Sequence, residues 1–188
     1  MKPYTSLKSI IAELFSSQRA HAIDELDSGK QVFIETISPE FTFTDALLLF
    51  SIGYCQRHNY KATLGHILLE TDAINREQPM ARELENGLSR LIVGKYIEIQ
   101  NETFVATKAG VRLFNDVTKP RIPKLTALQE IRNLTARLNS WHLRTVTKQL
   151  TITDTQYAEA IQESHKLFDE AMKKADEILK ARKVKESS

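Results

Sequence analysis

The chain has 188 residues, 41% of them hydrophobic and 27% charged, with 6 Gly, 5 Pro and a single cysteine, Cys55. A lone cysteine makes no internal disulfide, and no Cys/His cluster stands at zinc-ligand spacing, so a reducing, cytoplasmic setting without metal or cofactor is expected. The longest apolar run, Ala46 to Phe50, is far short of the roughly 20 residues of a membrane span, and the opening MKPYTSLKS lacks a signal peptide's apolar core, which argues against membrane and secreted proteins.

In chain order, the first predicted element is a helix through Leu7, Ile10, Ile11, Leu14, Phe15, Ile23 and Leu26, with Gly29 at a C-terminal position. A strand-like run, Val32-Phe33-Ile34, follows. Thr44 can cap a second helix whose residues Leu47 to Phe50, Ile52, Tyr54 and Cys55 are apolar on nearly every side, which places it at the centre of a core. Thr63 can cap a short helix through Leu64, Ile67, Leu68 and Thr71. After the loop Asn75-Arg76-Glu77-Gln78, Pro79 fits a first-turn position, and Ala81, Leu84, Leu88, Leu91 and Ile92 continue at helical spacing to a stop at Gly94. Residues 95–100 and 103–106 then alternate around Asn101-Glu102. A turn at that pair sets Ile97 and Ile99 opposite Ala106 and Phe104, so one hairpin face is apolar. Thr107 can cap a closing helix through Val111, Phe114 and Val117.

Three helices and a short hairpin in this order resemble the winged helix-turn-helix superfamily over residues 41–117. The string LENGLSRLIVGKYIEIQNETFVATKAGVRLF is similar to the passage from recognition helix through wing to closing helix in bacterial transcription regulators of the PadR and MarR kind, through Leu88, Leu91, Gly94, Tyr96, Ile97, Thr107 and Gly110. The fold expected is mainly α with a small β-hairpin wing, plus a helical tail. Its divisions are an N-terminal helix and strand at 1–39, the winged helix-turn-helix domain at 40–118, and a basic helix followed by a dimerisation helix at 119–188.

The apolar side of the third helix leaves an outward face centred near Asn86 that includes Arg82, Ser89, Arg90 and Val93. Arg can pair with guanine and Asn with adenine, each good bidentate pair contributing roughly 1–3 kcal/mol of discrimination. The resemblance implies that this face enters the major groove of double-stranded DNA, with Lys95 and Lys108 reaching phosphates. A solvated face is the alternative, since Glu83 and Glu85 share the helix and the wing tip, Asn101-Glu102, lacks a cation.

Charge is uneven along the chain. Between 119 and 150, Lys119, Arg121, Lys124, Arg132, Arg137, Arg144 and Lys148 stand against Glu130 alone, a surplus of +6 that can attract phosphate. Thr126 and Gln129, and Thr153 and Gln156, fit capping boxes that open two tail helices. The first presents Leu128, Ile131, Leu134, Leu138 and Trp141. The second carries a stripe through Tyr157, Ile161, Phe168, Ala171, Met172, Ala175, Ile178 and Leu179, which must cover either the chain's own domain or a partner subunit.

His21, His58, His66, His142 and His165 match no ligand or nucleophile pattern, and there is no Gly-rich phosphate loop, HExxH or Gly-x-Ser-x-Gly. An enzyme is not expected. Cys55, in the most apolar helix, reads as a buried structural thiol, and His58 as a capping or surface group. The expected function is a DNA-binding transcriptional regulator acting as a homodimer through its C-terminal helix. The alternative is a winged-helix protein-protein interaction module that binds no DNA.

Overall fold

The computed structural model of the chain describes residues 35–120, 125–140, 143 and 145–186. The helix predicted through Leu7 to Leu26, the run Val32 to Ile34, and Trp141 lie outside the described residues. Within them the chain is mainly helical, with six helices and two small antiparallel sheets. In order these are β1 (Thr36–Ile37), α1 (Phe43–Arg57), α2 (Leu64–Asn75), α3 (Ala81–Val93), β2 (Ile97–Gln100), β3 (Thr103–Ala106), α4 (Lys108–Val117), α5 (Ala127–Leu138), β4 (Val146–Thr147) and α6 (Asp154–Glu186).

Helix α1 is the centre. Its residues from Asp45 to Gly53, and Cys55, are buried, and α2, α3, α4, α5 and β3 all pack on it. A helix apolar all round has no solvent face to offer, so surrounding elements must close over it. Its cap is Thr42, two residues before the expected Thr44: the Thr42 hydroxyl accepts from the Asp45 amide, and Asp45 Oδ2 accepts from the Thr42 amide at 2.8 Å. Thr42 wins because only its spacing to Asp45 lets both orphan donors be met reciprocally.

Thr63 caps α2 as expected. Helix α3 begins at Ala81 with Met80 as its N-cap, which leaves Pro79 outside the helix instead of in its first turn. Gly87, in mid-helix, has no room for a side chain: a Cβ there would meet Asp45 Oδ1 and Leu48 Cδ1 at 2.7 Å. The glycine therefore sets how closely α1 and α3 approach. Gly94 does end α3, but with an ordinary helical φ of −70°; the left-handed residue is its neighbour Lys95, at φ 59°.

The hairpin has the expected register, with Ile97 opposite Ala106 and Ile99 opposite Phe104. Its turn residues, Asn101 at φ 46° and Glu102 at φ 65°, both adopt the left-handed backbone that a two-residue hairpin turn matched to strand twist requires. On the outer edge of β3 the Phe104 amide donates to the Ala62 carbonyl at 3.0 Å, so the α1–α2 connection adds one rung. Thr107 caps α4, accepting from the Gly110 amide while its hydroxyl donates to Lys95 O at 2.7 Å.

Both predicted tail capping boxes form, at Thr126/Gln129 and at Thr153/Gln156. Ile131, Leu134 and Leu138 of α5 are buried, whereas Leu128, expected on the same side, is exposed. One hydrophobic cluster runs from Phe41 to Ala160, so residues on both sides of the break predicted at 118 share a core. Two long-range ties reinforce it. The Asn139 side chain donates to Phe41 O at 2.8 Å and accepts from Phe41 N at 3.0 Å, and β1 pairs with β4.

Candidate functional surface

Four residues of α3, Arg82, Asn86, Ser89 and Arg90, were expected to form an outward recognition face. The structure keeps Arg82 outside, leaves Asn86 half-buried with its Oδ1 shielded from solvent, and turns Ser89 and Arg90 inward.

Arg90 is 6% exposed and Asp45 0%, and they form a bidentate pair, Nε to Oδ2 at 2.6 Å and Nη2 to Oδ1 at 2.9 Å. Asp45 also closes the α1 capping box, so one carboxylate satisfies three donors and needs no water. Arg90 is thereby a structural group that fixes the N-terminus of α1 to the last turn of α3. It cannot reach a base.

Ser89 is fully buried, and the reason lies 60 residues later. The segment 146–153, leading from β4 to α6, runs along this flank of α3. The Gln149 amide donates to Ser89 Oγ at 2.9 Å, and the Ile152 amide donates to Glu85 Oε1 at 2.6 Å. Lys148 Nζ lies 2.9 Å from Glu85 Oε2 and 3.1 Å from Glu35 Oε2. These two carboxylates raise the Lys148 pKa, the Glu85 hydrogen bond being the larger cause. At the far end the Tyr157 hydroxyl donates to Pro79 O at 2.9 Å. Segment 146–153 is thus a strap whose backbone amides are paired by the two polar residues on this flank.

What remains accessible on α3 is narrow. Arg82 and Glu83 are exposed, and Asn86 and Val93 are half-buried. Lys95 and Lys108 are exposed. The basic surplus is also smaller in space than in sequence: Lys119 and Arg137 both meet Asp116, at 2.9 and 3.3 Å, and Lys148 meets Glu85 and Glu35. Arg121, Lys124 and Arg144 lie outside the described residues, and Arg132 is exposed.

The other candidate surface is α6. Its first turns pack on α2, with Ala160 and Ser164 buried, and the Thr63 hydroxyl donates to Glu163 Oε1 at 2.8 Å. Beyond Leu167 the helix leaves the domain. Every residue from Phe168 to Ala181 is exposed, among them Phe168, Met172, Ile178 and Leu179, each about half accessible to solvent.

Burial pushes the Cys55 thiol up to about 12, which removes its nucleophilic form at neutral pH. Among the described residues no group of three or more His, Cys, Asp or Glu could hold a metal ion, and no helix is long and apolar enough to cross a membrane. Sequence reasoning missed the strap because Ser89 and Glu85 find their partners 60 and 67 residues away, and two-residue strands such as β4 leave no periodic signal. Comparison with protein-family models, curated proteins and solved structures finds no match.

Proposed function

We propose that the chain is a winged-helix assembly module, in which a domain of helices and hairpin holds out a long helix that pairs with a second copy of the chain. The order α1, α2, α3, β2, β3 supports the winged-helix part. So does the Ala62–Phe104 rung, which lays the α1–α2 connection along the hairpin edge where a third strand would run.

The observation that carries the functional part is the bare half of α6. A helix of 33 residues is about 50 Å long, and only its first turns are covered by the domain. The projecting part is a marginal helix in water by itself, and it exposes Phe168, Met172, Ile178 and Leu179. Each of these contributes roughly 1.5–3 kcal/mol when fully buried. The occupant that fits is another α6. Between 165 and 181 four lysines, Lys166, Lys173, Lys174 and Lys180, balance Asp169, Glu170, Asp176 and Glu177, so two such helices meet without net repulsion. Light scattering on the full chain at micromolar concentration tests this. The expected mass is twice the 21.5 kDa of one chain, and a mass of one chain contradicts the proposal.

A second reading, a double-stranded DNA-binding transcriptional regulator, draws on the exposed Arg82, Lys95 and Lys108, on the half-buried Asn86 and on the basic residues of 119–148. It must do without Ser89 and Arg90, and it must accommodate the strap beside α3. Salt-dependent affinity for random duplex DNA would support it, and no binding at low salt would leave the assembly module alone.

A further inference from the structure

Where α1, α2, α4 and α5 meet, a cleft of about 450 Å³ opens to solvent, a volume in the range of small-molecule sites. Its walls are largely apolar and aromatic, from Phe50, Tyr54, Ile74, Phe114 and Leu125, with Phe50 and Phe114 meeting edge to face at 5.3 Å. One lining residue does not belong to such a wall. Glu70, on α2, is half-buried, and no hydrogen bond or ion pair meets its carboxylate among the described residues. Burial alone raises its pKa; burial is also the larger cause of the raised pKa values of Tyr54 and Cys55, to which the Glu70 charge adds.

Arg57 is the one cation among the described lining residues, and its donors are turned to α4. Its Nη2 donates to Asn115 Oδ1 at 3.0 Å and to Thr118 Oγ1 at 2.6 Å, and its guanidinium lies 4.3 Å from the Phe114 ring centroid. The cleft therefore combines an apolar wall, in which Tyr54, Ile74 and Leu125 are half-buried over the core rings Phe50 and Phe114, with a carboxylate that has no cation among the described residues. Charge in a low-dielectric, partly enclosed site is costly unless it is paired, and a ligand cation supplies the missing partner while its apolar body covers the apolar wall. An anion is disfavoured because the Glu70 carboxylate lines the space.

We infer that this cleft is a binding site for a small organic cation with an aryl or alkyl body, its ammonium group held by Glu70 and its body by the half-buried Tyr54, Ile74 and Leu125. The site is separate from both the α6 stripe and the strap on α3, so it stands whether or not the chain dimerises.

The test is calorimetric titration of the full chain with three probes of nearly one shape: 2-phenylethylammonium, 2-phenylethanol and phenylacetate. The cation is expected to bind at least tenfold more tightly than the alcohol, and phenylacetate not at all. Glu70→Gln, close to isosteric, should cut cation affinity at least tenfold and leave the alcohol unchanged, which also reports that the variant is folded. Ala127→Leu, which narrows the cleft, should weaken cation and alcohol together. Equal binding of all three probes, no binding of the cation, or cation binding unchanged by Glu70→Gln would each overturn the inference.

Discussion

Arg90 shows how far a residue's type can mislead about its role. On a helical wheel it lies within one turn of the solvent face, and its guanidinium suits a base edge as well as a carboxylate. What decides is Asp45, which is 45 residues away in sequence and is drawn to the same spot by the α1 capping box. Local spacing reveals Thr42 and Asp45 as a cap; nothing local reveals that the same carboxylate also receives an arginine. The consequence is measurable in denaturant unfolding. Arg90→Ala leaves Asp45 buried and unpaired and should cost about 3–5 kcal/mol, whereas Arg82→Ala, on the exposed face, should stay within about 0.5 kcal/mol of wild type. If the two variants were equally stable, the Asp45–Arg90 pair would not have the structural role assigned to it.

At the scale of elements, what could be read in the sequence was whatever rests on near neighbours. The caps at Thr63, Thr107, Thr126 and Thr153 and the hairpin register around Asn101-Glu102 involve residues a few positions apart, and the structure forms all of them. The strap was not legible, because its amides at 149 and 152 need partners on a helix that sequence patterning assigns to solvent. Its main ion pair has a definite pH signature. The Lys148 pKa is raised on folding, so the pair's contribution is complete below the unfolded-state value, near 10.5, and is lost as pH climbs through the higher folded-state value. The strap should therefore be indifferent to pH across the neutral range. Glu85→Ala should instead release it at every pH, leaving the Ile152 amide without its acceptor at a cost of about 1–3 kcal/mol and speeding amide hydrogen exchange at Gln149 and Ile152. Unchanged exchange at those two amides would mean that Glu85 does not hold the strap.

For the whole molecule, the two ends of α6 have different fates. The stripe from Tyr157 to Leu179 is continuous in sequence and was open to two readings, and the structure divides it: the part through Ser164 covers α2, and the part from Phe168 onward covers nothing among the described residues. No sequence pattern marks where the domain's surface ends and the helix runs past it, since that point is set by the length of α2 and by how α6 is seated there. The account's central claim is that the uncovered part is a joint between two copies. Sedimentation equilibrium of the full chain and of the double variant Phe168→Glu/Leu179→Glu tests it most directly. Both substitutions fall on positions about half accessible to solvent and outside the core, so the folded domain should be unaltered. Wild type is predicted to sediment as a dimer at micromolar concentration and the double variant as a monomer; a monomeric wild type, or a variant that dimerises equally well, would contradict the account.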